Sequence, residues 1–221
     1  MIMIFTFLLI VIQRIEKKVE DRVLTIGVGD LLEMKIHSIG CHIMFASIES
    51  LIQNIEDDWN HNWNPTVKQY IHSSLTGHEF GKGIYGSKVP LSISNEDDLF
   101  NASELITQFY RQDALPFFNY WKDIRVFLPW LELEYDDLNG LNLVFLRDSV
   151  LKKIIVWYLT SHPHYEKFAQ HHKDRLEKKL VKDSNSAVIK KRLKRLNKIR
   201  TKLENSSPLF KWNPNYLNAV D

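Results

Sequence analysis

The sequence predicts an α+β protein: an antiparallel meander sheet packed by helices, followed by a basic helical hairpin. Three observations carry that prediction. Leu24, Ile26 and Val28, and then Ile39, Cys41, Ile43 and Phe45, place apolar residues at every second position, the period of a strand. Apolar residues then recur at steps of three and four from Leu99 onward, the period of one helix face. Finally, positive charge is concentrated in one late segment: residues 162–204 hold fourteen Lys or Arg against five Asp or Glu. The local balance is +9 in a chain of net +2, so the remainder carries −7.

Composition bounds the reading. A chain of 221 residues can bury a sizeable core, and 44% apolar with 12% aromatic content argues for a globular fold rather than disorder. Cys41 is the one cysteine, so no internal disulfide forms and a reducing, cytoplasmic setting is expected. Cys41 itself reads as a small buried hydrophobe on a strand. The expected organisation is an α+β core over 1–161, a basic helical hairpin over 162–205 and an irregular tail over 206–221.

Residues 1–12, MIMIFTFLLIVI, are uncharged but shorter than a membrane span of roughly 17–25 residues, and they lack the basic start of a signal peptide. Rich in β-branched and aromatic residues, they read as a buried strand; a hydrophobic anchor is the rival, and a membrane partner is not expected. Residues 16–22 read as a charged turn. A second strand follows over 23–28, and Ile39, Cys41, Ile43 and Phe45 alternate as a third. Periodicity does not decide between strand and helix for 47–55.

A short strand over 89–94 leads into the most regular part of the chain. Ser94 or Asn95 offers a cap for a helix whose first turn holds Glu96, Asp97 and Asp98. Leu99, Ala102, Leu105, Ile106, Phe109 and Tyr110 form its apolar face. Asp113 is expected to stop this helix and cap the next, with Pro116 in a first turn and Phe117, Trp121, Ile124 and Leu128 as the second stripe, ended by Pro129.

The segment Leu115-Pro116-Phe117-Phe118, with Trp130 downstream, resembles a bacterial domain family of unassigned activity, over about residues 23–130. The resemblance implies an antiparallel sheet followed by helices. It brings no catalytic residues.

Candidate chemistry is sparse. Asp57, Asp58 and His61, in the sequence EDDWNHNWNP, are residue types that ligate metals or exchange protons, but no matching second cluster accompanies them; a polar loop anchored by Trp59 and Trp63 is the better reading. Gly81-Lys82-Gly83-Ile84-Tyr85-Gly86 matches G-x-G-x-x-G, yet a strand is expected after it where dinucleotide binding needs a helix, which makes it a loop between strands. Glu132, Glu134, Asp136 and Asp137 read as a solvated connector before Asn139-Gly140. Residues 143–159 are read as an apolar helix buried against the sheet. His162, His164, His171 and His172 lack metal spacing, since His164 and His172 are eight apart on one helix. The sequence thus assigns no catalytic residue, no metal ligand and no cofactor.

The late basic segment reads as two helices across the turn Asp183–Ser186. Tyr165, Phe168, Ala169, His172, Leu176 and Leu180 line one, and Ile189, Leu193, Leu196, Ile199 and Leu203 the other. Lys190, Lys191, Arg192, Lys194, Arg195 and Lys198, with Arg200 and Lys202, are placed on the outer face, where they are candidates for binding a polyanion. No aromatic residue interleaves them, so single-strand stacking has no platform. The expected function is a non-enzymatic protein-interaction domain taking an acidic protein partner. The alternatives are a nucleic-acid-associated protein that grips phosphates through this segment, and a small hydrolase-like enzyme built on Asp57, Asp58, His61 or His78-Glu79.

Overall fold

The computed structural model describes residues 14–29, 35–36, 38–53, 75–76, 91–133 and 149–218. These form an α+β fold in two compact units. The boundary expected after residue 161 falls inside the second unit, and the expected strand over 1–12 lies outside the described residues.

The first unit is built on a four-stranded antiparallel sheet in the order β1-β2-β4-β5. Its strands are β1 (Arg14–Val19), β2 (Arg22–Gly29), β4 (Ser38–Phe45) and β5 (Leu75–Thr76). A second ladder pairs β3 (Lys35–Ile36) with β6 (Leu91–Ser92). Ile39, Cys41, Ile43 and Phe45 of β4 are all buried, as their alternation requires. The charged segment expected as a turn is β1: only Glu20 and Asp21 turn, and Val19 pairs with Arg22. Glu20 takes a φ of 51°, the left-handed conformation that so short a hairpin connection imposes. Among the described strands β1 is outermost, and exposed Lys17 and Lys18 suit that place, where charge blocks pairing with another chain.

Helix α1 (Ala46–Gln53) settles the ambiguous 47–55 segment and belongs to the second unit. In the first unit, α2 (Glu96–Phe109) starts at Asn95, whose side chain accepts from the Asp98 amide at 2.9 Å. The Asp98 carboxylate in turn accepts from the Ser94 amide at 2.8 Å. The helix does not stop at Asp113. It passes through a π-helical turn over Tyr110–Ala114 into α3 (Leu115–Tyr120). Widening the turn here accommodates Pro116, which has no N–H to continue an ordinary ladder. Arg22 ties β2 to the end of α3 by donating to the carbonyls of Phe118 at 2.8 Å and Trp121 at 3.0 Å.

The second unit holds α1 together with α4 (Leu128–Leu133), α5 (Ser149–Leu159), α6 (Tyr165–Lys182) and α7 (Ala187–Glu204). Pro129 stands in the first turn of α4 rather than at a helix end, the position where a missing N–H costs least. A 3-10 turn over Ile124–Phe127 precedes it, and Ile124, Val126, Phe127, Leu128 and Leu131 are all buried. Helix α5 is buried over Leu151–Trp157, on every side rather than along one stripe. Its neighbours within this unit are helices.

Candidate polyanion-binding site

Helix α7 displays its cations because its opposite side is apolar. Leu196, Ile199 and Leu203 are buried and Ile189 and Leu193 half-buried, which turns Lys190, Lys191 and Lys194 outward together. Arg192 is also exposed. Arg195 and Lys198 are half-buried, and each engages neighbouring groups. Arg200 is not on the outer face. It stands seven residues after Leu193, hence on the packed side, and donates to Gln170 Oε1 at 3.0 Å and Glu166 Oε2 at 3.3 Å across the helix pair. Lys202 is half-buried. The outward row is thus Lys190, Lys191 and Lys194, continued by the half-buried Lys198.

A second arrangement, unforeseen from the sequence, lies around α5. Lys152 and Glu49 pair at 2.8 Å, each side chain about 2% exposed. Lys153, equally buried, donates to the Leu131 carbonyl at 2.6 Å and lies 4.5 Å from the Trp157 ring centre and 4.9 Å from that of Phe168. The only sequence signal was two lysines interrupting an apolar run.

Next along the chain, His162 is 4% exposed and stacks on Trp157 with ring centres 4.3 Å apart. Its Nδ1 accepts the His164 amide at 3.1 Å, so in the neutral ring the proton is on Nε2, and Nε2 lies 2.6 Å from Glu132 Oε1. Burial, with positive charge from His164 and Lys153, lowers the His162 pKa to about 4, while burial raises that of Glu132. A carboxylate orienting an imidazole resembles half of a catalytic triad, but a general base needs its second nitrogen free to meet substrate. Here that nitrogen is occupied by backbone. The pair instead pins the α5–α6 turn, and the segment after α7 covers it. Trp212 meets His162 edge-on at 4.3 Å, Arg125 lies over the rings of Phe210 and Tyr216, and the amides of Leu209 and Phe210 both donate to the Leu159 carbonyl.

Asp57, Asp58, His61, His78, Glu79, the 81–86 glycine segment and Glu134, Asp136 and Asp137 lie outside the described residues. Among the described residues no cluster of three or more His, Cys, Asp or Glu has the geometry to hold a metal ion, and no helix is long and apolar enough to cross a membrane. Cys41 is 1% exposed, and burial, with the nearby Asp113 charge, pushes its pKa up to about 12.

Comparisons with protein-family models, with curated proteins and with solved structures return no match to this chain.

Proposed function

We propose that the chain is a non-enzymatic interaction domain that docks an acidic protein segment on the basic outer face of α7. The observation that carries this reading is the row formed by Lys190, Lys194 and Lys198 at intervals of four, with Lys191 beside it, on a helix whose other side is buried. Four residues of helix advance about 6 Å, so an acidic helix with carboxylates at the same interval presents a matching repeat. The α7 segment itself, residues 187–204, contains no aromatic residue for base stacking, which favours protein over single-stranded nucleic acid. The backbone-occupied Nδ1 of His162 favours a binding role over a catalytic one. The resemblance of 23–130 to a bacterial domain family of unassigned activity fits a scaffold that carries such a surface.

Fluorescence anisotropy tests it with two probes, a helical peptide bearing Glu at every fourth position and a mixed-sequence DNA duplex, at about 50 and 200 mM salt, a range over which multi-phosphate binding falls by orders of magnitude. Peptide binding that weakens with salt and is lost in a Lys190→Glu/Lys191→Glu/Lys194→Glu variant supports the reading. Duplex binding tighter than peptide binding, lost in the same variant, would replace it with nucleic-acid association. Binding of neither at low salt would overturn both.

A further inference from the structure

The two seams between α6 and α7 carry opposite chemistry. On one, Arg200 meets Glu166 and Gln170, positive against negative. Half a turn round α6, His172, Arg175 and Lys179 follow at i, i+3 and i+7, and therefore share the other side of that helix. The pairing that brings Arg200 against residues 166 and 170 sets Arg192, two turns back, level with Arg175 and Lys179. Among the described residues, the charges that act on the His172 imidazole are positive: Arg175, His171 and Lys179 on α6, and Arg192 on α7. Burial and these cations together lower its pKa to about 4, so the ring is neutral at neutral pH. Its buried Nδ1 makes no hydrogen bond. Among the described residues, Arg175, Lys179 and Arg192 make no ion pair. Like charges gathered over an idle buried nitrogen weaken a helix pair, unless something negative joins them.

We infer that this seam is a binding site for a tetrahedral oxyanion of the phosphate class, clasped by Arg175 and Lys179 of α6 and Arg192 of α7 with His172 beneath. The inference rests on the interaction reading above and deepens it: the phosphate is a phosphorylated side chain carried by the acidic partner. Each arginine can offer two parallel N–H donors to such a group. The arriving anion offsets the positive field, so His172 takes up a proton and donates through Nδ1. Anion and proton then bind cooperatively, and affinity rises as pH falls towards the titration of the free ring.

Two experiments on the full chain test this. The first follows the His172 ring by NMR from pH 4 to 8 in sodium sulfate and in sodium chloride of equal ionic strength. Sulfate is dianionic throughout that range, so any change belongs to the protein. The expected result is a His172 titration raised by at least about one unit in sulfate, and no such rise in Arg192→Gln, whose exposed side chain can change without loss of fold. An unmoved His172 would overturn the site. The second compares an acidic peptide holding one phosphoserine with its serine counterpart. The wild type should prefer the phosphopeptide about tenfold, the value of one charge-assisted contact, and Arg175→Gln/Arg192→Gln should lose the preference yet still bind the serine peptide. The Lys190→Glu/Lys191→Glu/Lys194→Glu variant should lose both peptides yet keep the sulfate response, which separates failure of this site from failure of the outer face. Inorganic phosphate binding as tightly as the phosphopeptide would overturn the partner-borne source.

Discussion

Replacing Lys152 by Met removes the positive half of a buried ion pair while keeping the volume of the side chain. Glu49 then lies 1% exposed without the ammonium that faced it at 2.8 Å. A buried carboxylate that loses its ammonium can respond by taking a proton. For an ordinary glutamate, with a pKa near 4.3, holding the group neutral costs about 1.36 kcal/mol per pH unit above that value, close to 4 kcal/mol at pH 7. That figure agrees with the roughly 3–5 kcal/mol measured when buried pairs are broken on one side. The same arithmetic makes the penalty pH-dependent: at pH 5 protonation costs only about 1 kcal/mol. Lys152→Met should therefore lose about 4 kcal/mol to urea unfolding at pH 7 and much less at pH 5. The double variant Lys152→Met/Glu49→Leu should recover to near the wild type or beyond it, because no uncompensated charge remains. A single variant within about 1 kcal/mol of wild type at pH 7 would refute the reasoning, since it would mean that water reaches the pair.

Three further outcomes follow from the same side chains. His162 has a folded pKa of about 4, below the ordinary value of 6.5, so between these pH values the unfolded chain binds more protons. Its contribution is complete above pH 6.5 and is lost as pH falls towards 4, by at most about 3 kcal/mol; His162→Gln should flatten that part of the stability–pH curve, and an unchanged curve would contradict the assignment. Trp212→Ala should expose the His162–Glu132 pair and raise the His162 titration by NMR, because the ring closing over it is gone. Cys41 should resist thiol reagents at pH 8 in the folded state and react on unfolding, so rapid labelling of native protein would show that its strand is not buried.

How much of this was legible depended on whether burial or partnership decided the element. The alternation in β4 and the apolar face of α2 follow from burial on one side, and period alone reads them. β1 was hidden because an edge strand with exposed Lys17 and Lys18 looks like a polar turn, and only its pairing with β2 makes it a strand. Pro116 stands in the first turn of α3 as its chemistry suggests, but the stop expected at Asp113 is a π turn through which the helix continues, and Pro129 begins a helix where one was expected to end. For the candidate site, the cations of α7 were visible as a run, but their division between an outer face and a packed seam needed the partner helix. Arg200 shows this most plainly, since nothing in its neighbours announces Glu166, thirty-four residues away. Lys152, Lys153 and His162 were readable only as oddities, because their partners Glu49, Leu131 and Glu132 come from other elements.

The measurement that bears most directly on the central claim is a charge swap across the proposed interface. The Lys190→Glu/Lys191→Glu/Lys194→Glu variant is titrated with the acidic helical peptide and with a second peptide in which each Glu is replaced by Lys. The account predicts that the variant loses the acidic peptide and gains the basic one, while the wild type shows the reverse, because charges at matched intervals decide the pairing. A variant that still binds the acidic peptide as well as wild type would contradict it and remove the outer face of α7 as the docking surface.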